Sequence, residues 1–141
     1  MNRRTFLKSS IAVLFGLDAA LGVDRMAGLD AAWIRVIEVE SHSGKDPQCR
    51  IPQAADDLGI AQITPIVVRD CNRILKLPVF SLSDRLDDKA SRAMFDTYCK
   101  HYYPEGELEE WCRLWHRGPS RKRQYDELGD LYWKKCLSVV V

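Results

Sequence analysis

Two glutamates two residues apart, Glu38 and Glu40, lie in a stretch where apolar residues recur at helical spacing. On a wheel advancing 100° per residue, Leu29, Trp33, Val36 and Ile37 gather on one side. Glu40 falls between Val36 and Trp33, inside that apolar stripe, and Glu38 falls opposite, beside Ala31 and Arg35. Glu38 therefore reads as a solvated surface acid. Glu40 reads as an acid on the buried face at the C-terminal end of a helix, where desolvation and the negative end of the helix dipole both raise its pKa. A carboxylic acid still protonated near neutral pH is what a glycosidic oxygen requires of a general acid. The other reading is a helix that ends at residue 38 or 39, with Glu40 pointing to water.

Further groups with chemistry to offer are spread along the chain. Asp46, Asp56 and Asp57 follow Glu40 and are either a second carboxylate or turn caps. Gln62 is either a ligand-binding amide or a polar turn residue, and Tyr132 and Trp133 either stack on a flat ligand or pack in the core. Arg113, Arg117, Arg121, Lys122 and Arg123 form a basic cluster, read either as an anion-attracting surface or as a solvated face. The five cysteines, Cys49, Cys71, Cys99, Cys112 and Cys136, contain no C-x-x-C, and the histidines do not cluster, so no metal site and no cofactor are expected. They read equally as buried thiols or as one or two disulfides with a thiol left over.

The elements that must position these groups are nearly all helical. Periodicity predicts a helix over residues 27–41. A loop over 43–58 follows, rich in turn residues and long enough to imply a task. Thr64-Pro65 is an N-cap and first-turn pair, so a helix runs from there to about Leu75, with Pro78 beyond it. Ala90, Met94, Tyr98 and Tyr102 recur at four-residue steps and predict a helix over Asp88 to Tyr102. Leu108, Trp111, Cys112 and Trp115 predict a packed helix, with Leu108, Trp111 and Trp115 buried, that stops at Gly118-Pro119. Residues 128–137 form the last helix. The only room for strand is a small hairpin between residues 44 and 63. The expected fold is mainly α, in one domain.

With 141 residues and a formal net charge of +1, the chain has the length of one domain and no electrostatic case for a nucleic-acid partner. Its N-terminus carries Arg3-Arg4-Thr5-Phe6-Leu7-Lys8, then an apolar run from Ile11 to Leu17 and the small residues of Ala20-Leu21-Gly22. That layout predicts a twin-arginine export signal over 1–22 and a mature domain over 23–141, delivered to the periplasm or outside the cell. The apolar run is shorter than the roughly 20 residues a membrane span needs, so no stable span is expected after cleavage.

Val39-Glu40-Ser41, the loop, and Gly59-Ile60-Ala61-Gln62-Ile63-Thr64-Pro65 together resemble the lysozyme-like lytic transglycosylases. Trp115-His116-Arg117-Gly118-Pro119 stands where that family has an aromatic-Asn-x-Gly-Pro turn, and Tyr132 stands for the tyrosine of its last helix. The resemblance covers about residues 27 to 136. It implies a lysozyme-like domain that cuts peptidoglycan glycan strands between MurNAc and GlcNAc, with Glu40 as the catalytic acid and Ser41, Gln62, His116 and Tyr132 at the substrate. Such enzymes need one carboxyl group, whereas most glycosidases need two. The departures are His116 for the family's Asn and Arg117 for a small residue. They keep two other readings open: a hydrolysing muramidase of the same fold, and an inactive lysozyme-like protein that binds glycan or another protein.

Overall fold

The computed structural model describes residues 26–141; the export signal expected over 1–22 falls outside the described residues. Helix α1 covers residues 26–41. Then come α2 (Pro65–Leu75), α3 (Asp88–Tyr102), α4 (Leu108–Arg117), the single turn α5 (Arg121–Gln124) and α6 (Glu127–Ser138). Two 3-10 helices, Pro47–Arg50 and Leu82–Leu86, interrupt the connections. Among the described residues no helix is long and apolar enough to cross a membrane.

The helices start and stop where their capping chemistry dictates. The Thr64 side chain accepts from the Val67 N–H, with Pro65 in the first turn, and Lys76 closes α2 in the left-handed region. Asp87 accepts from the Ala90 N–H at 2.7 Å to open α3. Asp126 accepts from the Gly129 N–H at 2.9 Å to open α6. Gly118, at φ 74°, ends α4.

The core forms around Phe95 of α3, which lies 5.4 Å from Trp33 of α1 and 5.1 Å from Trp115 of α4, ring centre to ring centre. On the apolar side of the α1 wheel Leu29 and Val36 are buried and Trp33 and Ile37 half-buried against the core, and Trp111 and Trp115 are buried. Leu108 is only half-buried, because it sits in the first turn of α4 at the edge of the core. The hairpin expected between 44 and 63 is reduced to one antiparallel bridge, Leu58 with Ile63, closed by the turn 59–62. Instead, the loop is held by a buried cation. Arg85, in the second 3-10 helix, donates to the carbonyls of Asp56 at 2.7 Å and Ile63 at 3.2 Å.

The five cysteines are buried free thiols. Burial raises the Cys71 thiol to about 12. The basic cluster divides: Arg121, Lys122 and Arg123 are exposed, while Arg113 and Arg117 are tied into ion pairs. Arg113 is buried and bonded to Glu109 and Asp130 at 2.8 and 2.7 Å, Arg117 pairs with Asp126, and Arg121 with Glu110. These pairs brace α4 against α5 and α6.

Candidate functional site

The end of α1 places Glu40 in a cleft of about 420 Å³. One wall is the turn 59–64, and the other is the end of α4 with Gly118 and Pro119. Both walls are fixed by the sequence. Gly59 has φ 85°, and a Cβ there would lie 1.7 Å from the Arg85 carbonyl oxygen, so only glycine fits. Trp115 Nε1 donates to the Ala61 carbonyl at 3.0 Å and ties the two walls together.

Glu40 lines the cleft, whereas Tyr132, expected at the substrate, is buried behind it and does not line the cleft. The Tyr132 hydroxyl donates to Glu40 Oε1 at 2.8 Å. Desolvation pushes the Glu40 carboxyl up to about 7. The Tyr132 hydrogen bond and the Lys135 charge oppose that rise, and the Asp57 charge adds to it. Oε1 accepts from Tyr132 in either protonation state, so Oε2 is left to carry the proton. Burial, followed by the Glu40 charge, raises the Tyr132 phenol well above its ordinary value, which keeps it a donor.

His116 lies flat against Tyr132, with ring centres 4.2 Å apart and planes 1° from parallel. Partial burial lowers its pKa, with help from the Arg117 and Lys135 charges and against the pull of Asp126. A neutral imidazole offers one donor and one acceptor, the same kinds of group as the amide of an asparagine. Gln62 also lines the cleft, but its Nε2 is spent on the carbonyls of Gly59 at 2.9 Å and Cys49 at 3.2 Å. Its amide oxygen is the group left for a ligand.

Ser41 does not reach the cleft. Its side chain is fully buried, donating to the carbonyls of Ile60 at 2.6 Å and Ile37 at 3.1 Å and accepting from the Gly44 N–H at 2.9 Å. It pins the end of α1 to the turn 59–62 and so positions Glu40, rather than touching a ligand. Glu38 points away from Glu40, as the wheel requires, yet it is half-buried and accepts from the Ser43 hydroxyl at 2.5 Å. The C-terminal end of α6 crosses that side of α1, and Glu38, Lys135 and Val139 line a separate depression of about 620 Å³ there. This depression is larger than the cleft but does not hold Glu40.

Of the loop aspartates, Asp46 caps the first 3-10 helix and Asp56 is exposed beside Arg85. Asp57 alone enters the cleft. Burial and the neighbouring Asp56 raise its pKa, against the pull of Arg85. Trp133 packs against the core and does not line the cleft.

Two cleft residues escape a reading of the sequence. Tyr98 follows the apolar stripe of α3 and looks like core, but its hydroxyl opens into the cleft without a hydrogen-bond partner among the described residues. Arg123, part of the basic cluster, also reaches the cleft, and nothing in the local pattern separates it from Lys122. Among the described residues no group of three or more His, Cys, Asp or Glu is placed to hold a metal ion. Comparison with protein-family models, with curated proteins and with solved structures gave no match.

Proposed function

We propose that this chain cuts peptidoglycan glycan strands as a lysozyme-like lytic transglycosylase, with Glu40 as its proton donor. The observation that carries the reading is Glu40 itself, a cleft-lining acid raised to about 7 and held from behind by a 2.8 Å hydrogen bond from Tyr132. The resemblance in the segments around Glu40, Gln62, His116 and Tyr132 supplies the reaction class; Gln62 and His116 line the cleft with Glu40, and Tyr132 supports Glu40 and His116 from behind.

In the first step Glu40 gives its proton to the glycosidic oxygen, and the bond from that oxygen to the muramic C1 breaks. In the second, the carboxylate takes the proton of the muramic 6-hydroxyl as O6 bonds to C1. The product is a 1,6-anhydro ring, no water is consumed, and Glu40 ends protonated as it began. A group with its pKa near the working pH serves both steps. Gln62 and His116 contribute hydrogen bonds to the sugar. The proposed place of action is beyond the cytoplasmic membrane, reached through the Arg3-Arg4 signal.

A second reading, hydrolysis, draws on Asp57, which shares the cleft with Glu40 and is positioned to raise its pKa. There Asp57 would serve as the second carboxylate of a muramidase. Mass spectrometry of products from purified peptidoglycan separates the readings. Anhydro-muramic ends are expected. Reducing ends that disappear in Asp57→Asn would replace the transglycosylase with a hydrolase, and absence of any soluble product would overturn both.

A further inference from the structure

The cleft does not end at Tyr98. Beyond it lies a second depression of about 380 Å³, which shares Ile66, Tyr98 and Pro119 with the cleft. Its sides are α2, which presents Arg69 and Arg73 one turn apart, and α3, which presents Tyr98 and Tyr102 one turn apart. The two tyrosine rings meet edge to face at 4.9 Å and form an aromatic wall.

The charges in this depression do not balance. Asp70 binds Arg73 at 2.7 Å and accepts from the Tyr102 hydroxyl at 2.5 Å. Burial works against its ionisation, but the hydrogen bonds from Tyr102 and Arg73 outweigh it and hold the carboxyl below its ordinary value. Asp70 therefore offsets Arg73. Arg69 is exposed at the rim and has no carboxylate partner among the described residues. A planar guanidinium with free N–H groups beside an aromatic wall suits a carboxylate carried on a ring-shaped, partly apolar ligand.

We infer that this depression is a subsite for an acidic substituent of the bound strand, with Arg69 as the group that recognises its carboxylate. The inference rests on reading the cleft as a glycan site. A strand threaded through the cleft passes over Ile66 and Pro119 and brings its next sugars against Tyr98 and Tyr102. The carboxylate has two sources on such a strand: the lactyl group of a muramic residue without its peptide, or a peptide stem.

The test is calorimetric titration of Glu40→Gln, which holds substrate without turnover, with and without Arg69→Gln. Three oligosaccharides of one length serve as probes: a peptide-free muramic strand, a peptide-bearing strand and neutral chitooligosaccharide. Arg69→Gln is expected to weaken acidic strands about tenfold, as loss of one exposed charge-assisted hydrogen bond does, and to leave the neutral probe unchanged. Added salt should weaken the same acidic strands only while Arg69 is present. Loss on the peptide-free strand identifies the lactyl carboxylate, and loss confined to the peptide-bearing strand identifies the stem. Unchanged binding of both acidic strands, or an equal loss on the neutral probe, overturns the subsite and leaves the glycan site standing. Failure of the Glu40→Gln parent to bind any of the three overturns both.

Discussion

Replacing Glu40 with Gln should stabilise the protein at alkaline pH and do little at acid pH. The folded carboxyl titrates near 7 against an ordinary value of 4.5. Between those values the folded chain keeps a proton that the unfolded chain has lost, so raising the pH favours unfolding. The gap of 2.5 pH units, from 4.5 to 7, is worth about 3–4 kcal/mol at about 1.4 kcal/mol per unit. That cost is absent at pH 4, grows through the interval and is complete by pH 8. Gln stays neutral throughout, and its carbonyl oxygen accepts from Tyr132 as the acid does. Urea melts of both proteins across this range isolate the effect, because every other titrating group cancels in the difference. With a denaturant slope of about 1–3 kcal/mol per molar, the Glu40→Gln midpoint should lie about 1–4 M higher at pH 8 and coincide at pH 4. A constant offset across the range, or a variant less stable than the parent at pH 8, would refute the claim that Glu40 is desolvated.

Tyr132→Phe removes a hydrogen bond that favours the Glu40 anion. Glycan cleavage that needs the protonated acid should then persist to higher pH, with the falling limb of the pH–rate profile moving up by about one unit; a downward move would reverse the assigned role. Gly59→Ala meets the Arg85 backbone oxygen and a positive φ together. It should cost roughly 3 kcal/mol or more in thermal or urea unfolding, and a loss below about 1 kcal/mol would show that the turn is not fixed there. Changing Arg3 and Arg4 to Lys should stop the mature form from appearing outside the cytoplasm, as fractionation and immunoblotting would report; undiminished export would remove the twin-arginine assignment.

Local rules made much of the fold legible in the sequence. Thr64-Pro65 opens α2, and the four-residue stripe from Ala90 to Tyr102 bounds α3. Gly118-Pro119 marks the end of α4, and the wheel of α1 separates Glu40 from Glu38. Each signal lies within a few residues of what it specifies. The features that were not legible depend on distant partners. Ser41 looks like a cleft residue until its bond to Ile60, nineteen positions away, is seen. Arg85 looks like a surface cation, but it is buried because Asp56 and Ile63 bring carbonyls to it. The 3-10 helix around it shows no periodicity, and its one local signal is the Ser81–Asp84 capping box. The turn α5 is written in charged residues without an apolar stripe, so only its Ser120 cap announces it. Tyr98 shows the same limit from the other side: spacing places its ring in the core, and tertiary packing decides that its hydroxyl ends in the cleft.

Glu40, and not its neighbour Glu38, is proposed to give the proton that breaks the glycan. Release of soluble muropeptides from purified peptidoglycan at pH 6, measured for the parent, Glu40→Gln and Glu38→Gln, tests it most directly. Glu38→Gln should keep the parent rate and Glu40→Gln should fall by about 10² to 10⁴, the usual worth of general acid catalysis, while both variants keep the parent's circular dichroism. Normal release by Glu40→Gln, or loss in Glu38→Gln alone, would contradict it.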